Sequence, residues 1–175
     1  MAFFDLIQTR RSIRKFKDTP VEQEKIDCLV EAALRSPSSR SINPWRFIVI
    51  DNRETITQLS SAKPHGSSFL KGAPLCIVVC ADSGESDVWV EDTAIASAFI
   101  HLAAHDLGLG SCWIQIRKRE YNASKSAETY VKEHLKIPDN IVIESIIAIG
   151  YPDEVKQGHP KDTLQYRKVM LNTYG

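Results

Sequence analysis

Pro74-Leu75-Cys76-Ile77-Val78-Val79-Cys80-Ala81 is the most strand-like run in the chain. Its apolar side chains fall at odd and even positions alike, so a strand here has both faces to cover. Such a strand belongs inside a sheet rather than at an edge. After the acidic stretch Asp82 to Asp87, residues Val90 to Leu107 read as a long helix. Ala94, Ile95, Ala98, Phe99, Leu102 and Ala103 form its apolar stripe, and Ala96, Ile100 and Ala104 widen it almost all round. A central strand with a buried, alanine-rich helix behind it predicts an α+β layered architecture.

Working outward from that pair, Phe3 to Thr9 predicts a short helix with Phe3, Leu6 and Ile7 on one face. Thr19-Pro20 is a helix start signal, and apolar residues at helical spacing run from Val21 to Leu34, with a stop at Ser36-Pro37. Arg46 to Asp51 predicts a strand, and Asn52-Arg53-Glu54 opens a helix to about Ser60. Downstream, Gly108-Leu109-Gly110 ends the long helix, and Ser111 to Ile116 reads as a strand or extended turn. Ser124 to Leu135 predicts a helix, and Val142 to Ile149 an interior strand broken by Gly150-Tyr151-Pro152. Residues 153–175 mix charge with the short apolar run Val169-Met170-Leu171, too polar for a core element of their own. They are expected to lie along a surface, with a partner subunit's as the candidate.

A chain of 175 residues suits one domain over residues 1–175. With 22 basic and 22 acidic residues there is no global field to attract nucleic acid or membrane. No apolar run approaches the ~20 residues of a bilayer span, and Met1-Ala2-Phe3-Phe4-Asp5 lacks the regions of a secretory signal, so a cytoplasmic protein is expected. Cys28, Cys76, Cys80 and Cys112 have no metal-ligand spacing and read as small buried hydrophobes. His101 and His105 stand four apart without a third ligand and read as structural. No metal is expected.

Against that neutral balance, Arg10-Arg11-Ser12-Ile13-Arg14-Lys15-Phe16-Lys17 places five cations in eight residues. Ser12 adds a hydroxyl, while Ile13 and Phe16 are available to bury, a pattern that suits a rigid anion grip. The hydroxyl-rich loop Pro37-Ser38-Ser39-Arg40-Ser41-Ile42-Asn43-Pro44-Trp45 offers many donors and a stacking surface between two prolines.

Taken in order, Arg10-Arg11-Ser12-Ile13-Arg14, Ser36-Pro37-Ser38-Ser39 with Pro44-Trp45, Gly108-Leu109-Gly110-Ser111-Cys112-Trp113-Ile114 and Ala148-Ile149-Gly150-Tyr151-Pro152 resemble the nitroreductase family of flavoproteins. The resemblance covers essentially the whole chain. It implies a mainly antiparallel central sheet flanked by helices, and a homodimer with FMN at the subunit interface and a C-terminal arm wrapping the partner. NADH or NADPH would donate hydride to flavin N5, and a small organic acceptor would then take it, in ping-pong order. No catalytic side chain is expected. Arg10 and Ser12, with Arg11 beside them, match positions holding the flavin phosphate, and Arg14 a position near the ribityl chain and pyrimidine. Pro37, Ser38, Ser39, Ser41 and Asn43 match the loop that reaches the flavin from the other subunit. Trp113, Ile114 and Gln115 match the stretch by the central ring, and Lys161 and Arg167 the basic phosphate ligands of the tail. The family commonly has asparagine at Ser41, glutamine at Asn43 and glycine at Gln115. A flavin-storing or sensing protein without turnover is the alternative; a nucleic-acid module stacking Trp45 or Trp113 on bases is the weaker rival.

Overall fold

The computed structural model describes residues 2–174; Met1 and Gly175, which the readings of the two ends include, lie outside them. Leu75–Asp82 (β2) is an interior strand, antiparallel to Trp45–Ile50 (β1) on one side and to Ile141–Gly150 (β6) on the other. Gly110–Gln115 (β3) pairs antiparallel with β6 and closes the order β1-β2-β6-β3. Glu120–Asn122 (β4) and Lys125–Ser126 (β5) form a small separate ribbon.

The alternation of β2 explains why both its faces are apolar. Cys76, Val78 and Cys80 join a core with Ile56, Leu59 and Val131 of helices Arg53–Leu59 (α3) and Ala127–Leu135 (α5). Leu75, Ile77 and Val79 join a second core with Ile26, Leu29, Ile100 and Ala104 of helices Gln23–Leu34 (α2) and Trp89–Asp106 (α4). The sheet is therefore sandwiched between two helical layers, where the apolar periodicity of the sequence pointed to the one behind α4. Phe3–Thr9 (α1) forms as expected but buries Leu6 alone, leaving Phe3 and Ile7 exposed.

The long helix departs from the reading in an instructive way. Its sheet-facing residues are Ala96, Ile100 and Ala104 with Thr93 and Ser97, whose hydroxyl lies 3.1 Å from that of Ser145 on β6. Small side chains there let the helix sit close to the sheet. Of the predicted stripe, Ile95 stays 39% and Phe99 37% exposed, and Ala98 is exposed too. Two starts also shift. α2 begins two residues later than its apolar repeat, at Gln23, with no side-chain cap, because Glu22 instead accepts from the Tyr151 hydroxyl at 2.7 Å. α5 begins at Ala127 because Lys125 and Ser126 pair with β4, and Ser126 then caps the helix by accepting from the Thr129 amide.

Candidate functional site

The basic segment is held by its backbone. Ile13 donates to the Ser111 carbonyl of β3 at 3.0 Å, and Lys17 to the Tyr151 carbonyl at 2.8 Å. Asp153 donates to the Lys15 carbonyl, and the Arg14 and Lys15 amides both donate to the Glu154 carboxylate, at 2.5 and 3.2 Å. Ile13 is buried so tightly over β3 that a Cβ on Gly110 would meet its side chain at 2.8 Å, which requires glycine at 110. Lys156 donates to the Ser12 carbonyl at 3.0 Å and pairs with Glu154. Glu154 and Lys156, which sequence reading missed, hold this segment through contacts 139 to 144 residues apart that no local spacing signals.

This anchoring leaves the cations largely unspent. Arg11 donates to the neutral Gln157 carbonyl, and the Arg14 guanidinium lies 5.7 Å over the Phe69 ring. Among the described residues, neither Arg10 nor Arg14 has an ion-pair partner. Their charges are felt nearby. Burial chiefly, and Arg10 next, push the His101 imidazole down to about 4, and His105 falls for the same two reasons. Burial raises the Cys112 thiol, while Arg14, Ser12 and Lys156 oppose it. His101 is thus a neutral structural group, bonded through Nδ1 to the Ser111 hydroxyl at 2.7 Å.

Next to this segment β3 presents an open edge. Residue 116 lies opposite 144 and donates to its carbonyl, so the inward-bonded positions of the ladder are 110, 112 and 114. The amides of Trp113 and Gln115 consequently point away from β6, to the outer edge of the sheet. The Gln115 side chain is tied back and does not block that edge. Its oxygen accepts from Trp113 Nε1 at 2.9 Å, and its nitrogen donates to the buried Glu144 carboxylate at 3.0 Å. Ile114 points into the core below.

The serine loop sits elsewhere, at the start of α4. The buried Asp92 accepts from the Ser39 amide at 2.8 Å and from Ser86, which fixes the loop against the helix. Ser38 and Asn43 bond reciprocally, and Arg40, Ser41 and Asn43 have positive φ. Pro37 is exposed beside them. Within one chain, among the described residues, no hydrogen bond or ion pair joins this loop to the basic segment. The tail is likewise exposed from Lys161 onward. Lys161 borders a cavity of about 630 Å³ against Phe4, Ile7 and Leu164, and Arg167 lies on the exposed turn Tyr166–Lys168. Among the described residues no three His, Cys, Asp or Glu side chains are placed to hold a metal, and no helix is long and apolar enough to cross a membrane.

An antiparallel sheet between helical layers, with a basic segment clamped to one edge, defines an α+β protein of the nitroreductase fold. The family profile described as "Nitroreductase family" matches residues 7–65 and 58–151, and the chain belongs to that family. An FMN-dependent nitroreductase of Clostridium difficile R20291 superposes with a TM-score of 0.97 at 47% identity, over 98% of this chain and all of that one. A Bacteroides thetaiotaomicron protein provisionally named NADH dehydrogenase/NAD(P)H nitroreductase gives a TM-score of 0.91 at 32% identity, with 99% of each chain covered. A Methanothermobacter thermautotrophicus protein with the same provisional name is 39% identical over 157 residues, 88% of this chain and 79% of that one.

Proposed function

We propose that this chain is an FMN-dependent oxidoreductase that draws hydride from NADH or NADPH and passes electrons to a small organic acceptor, a nitroaromatic, quinone or flavin, in ping-pong order. It does so as a cytoplasmic homodimer. The observation that carries this reading is the set of backbone-clamped, unpaired cations of Arg10 and Arg14 beside the open edge of β3. A phosphate near neutrality carries close to two charges, and guanidinium forks with a hydroxyl suit it. The residues present therefore fit the phosphate of FMN.

Bound FMN supplies the hydride-accepting chemistry. Arg10, Arg11 and Ser12 hold its phosphate, with Lys161 and Arg167 brought in by the tail. Arg14 sits by the pyrimidine edge, where its charge favours negative charge on the ring system. The outward amide of Gln115, in the Trp113-Ile114-Gln115 stretch, would donate toward the central ring, and Glu144 keeps the Gln115 side chain out of the way. The exposed Ile95 and Phe99 face of α4 supports a second subunit. If two such helices pack antiparallel about a two-fold axis, the serine loop at the start of one lies beside the basic segment near the end of the other. Pro37, Ser38, Ser39, Ser41 and Asn43 then complete the partner's site.

Purified protein should be yellow, and anaerobic NADH or NADPH should bleach it within the turnover time. Yellow protein that no nicotinamide bleaches would indicate a storing or sensing role instead. Colourless protein that takes up no added FMN would overturn both.

A further inference from the structure

Glu144 is the extra residue of a β-bulge in β6. Val79 of β2 pairs with Ser145 and Cys80 with Ile143, so residue 144 has no partner across that ladder. A bulge re-aims the side chain it carries, and bulges recur beside active sites. Here it buries a carboxylate, 5% exposed, and leaves that carboxylate poorly provided for. Oε1 accepts from Gln115 Nε2 at 3.0 Å, but Oε2 is buried without a hydrogen-bond partner among the described residues. Arg117 approaches only to 3.9 Å through Nε, and its guanidinium lies 5.6 Å over the Trp89 ring.

Taking a carboxylate out of water costs free energy that this geometry returns in part, and an apolar side chain of similar volume often serves stability as well or better. Arg117 is only part-buried, so losing Glu144 would not strand it. Stability therefore does not account for a carboxylate at this position. Its one strong bond is to Gln115, and Gln115 belongs to the β3 edge. The Gln115 side chain is held at both ends. Its oxygen accepts from Trp113 Nε1 at 2.9 Å, and its nitrogen also reaches the Arg117 carbonyl at 3.2 Å and the Glu144 carbonyl at 3.4 Å. Of these three acceptors the carboxylate is the nearest and the charged one, hence the strongest. Trp113, Gln115 and Glu144 thus form one chain of hydrogen bonds, and its first two members carry the outward amides of β3. Past the Ser12–Ser111 bridge β3 has no strand on its outer side, so β6 and this chain of side chains are what restrain its far end.

We propose that Glu144 is a positioning residue: through the Gln115 side chain it holds the 113–115 stretch so that the outward Gln115 amide keeps its aim at the flavin ring. The inference rests on the oxidoreductase reading above. Hydride transfer depends on such placement, because a misplacement of about 1 Å can cost on the order of a hundredfold in rate.

The test compares wild type with Glu144→Leu, which fills similar space without an acceptor, and Glu144→Gln, which keeps an acceptor for Gln115 and drops the charge. In flavin-free protein, NMR should show the Gln115 backbone amide and the Trp113 indole moved in Glu144→Leu and close to their wild-type positions in Glu144→Gln. In flavin-loaded protein, anaerobic stopped-flow reduction by NADH or NADPH should show a limiting rate roughly tenfold or more lower in Glu144→Leu, with the apparent Kd for the donor unchanged. Glu144→Gln should regain most of that rate. The Gln115 side-chain amide of the wild-type protein should exchange slowly with solvent, a readout that stands even if Glu144→Leu does not fold. Fast exchange there, unmoved resonances or an unaltered limiting rate in Glu144→Leu, or a Glu144→Gln variant as slow as Glu144→Leu would overturn the assignment. If no nicotinamide reduces the wild-type protein, the oxidoreductase reading fails, and the NMR comparison alone still decides whether Glu144 positions Gln115.

Discussion

The basic segment and the serine loop are both short, irregular and rich in small donors, yet the fold treats them in opposite ways. Residues 10–17 are extended and stitched to two neighbours, β3 and the stretch after β6, so their backbone bonds are used and their charges are free. Residues 37–43 curl on themselves through positive-φ positions, and a buried carboxylate, Asp92, pins them from outside. The first reports to the last turns of α4, where Arg10 acts on His101 and His105; the second rests on its first turn. α4 spans 18 residues, or about 27 Å, and one of its long faces is apolar and uncovered. On the proposed function these two segments, at opposite ends of a helix with an unused apolar flank, are what a two-fold contact through that flank would unite.

Removing what secures that contact should have the largest effect. Val169 is 76% and Leu171 85% exposed, although both are apolar, so this run of the tail is left largely uncovered by the described residues of its own chain. Ending the chain before Asp162 should abolish dimer and bound FMN together while the sheet survives. Sedimentation velocity with absorbance at flavin wavelengths checks this. A truncated protein that stays dimeric and yellow would show that the two half-sites meet without the tail.

The next effect concerns the basic end alone. His101 binds its proton near pH 6.5 when unfolded and only near pH 4 when folded. Between those values the unfolded chain holds more protons, so stability rises with pH there and is lost on acidification. The loss from pH 7 to pH 4 assigned to this group is about 3 kcal/mol, the shift converted at 1.36 kcal/mol per pKa unit. Urea melts at pH 7, 5.5 and 4 on wild type and His101→Gln should show the shallower pH dependence in the variant. An unchanged slope would remove His101 as the sensor of the basic segment.

Much of the fold was legible because burial on both faces leaves a plain mark. The Pro74–Ala81 run identified an interior strand, and the helix from Val90 was found within one residue of its observed start at Trp89. The face of that helix was misjudged because periodicity reports that a side is apolar, not which neighbour covers it. Ile95 and Phe99 are as hydrophobic as Ile100, and only the sheet's position separates them. The chemistry of Arg10, Ser12 and Arg14 stood out as charge density in a neutral chain. Glu154, Lys156 and Asp92 did not, since their roles depend on pairings 53 to 144 residues apart that no local spacing encodes.

Arg10→Ala separates the two ends most finely. The side chain forms no ion pair within the described residues, so its removal strands no buried carboxylate and should cost the fold little. It should instead weaken FMN binding by roughly 1.5–3 kcal/mol, the range of a lost charged hydrogen bond. Arg10 also helps hold His101 low, so the same variant should move the His101 titration upward, an NMR observable independent of flavin. The serine loop, fixed by Asp92 at the far end of α4, should be untouched. Weaker flavin binding with an unmoved His101 would place Arg10 away from α4. A moved His101 with unaltered flavin affinity would leave the structural contact intact and relocate the phosphate.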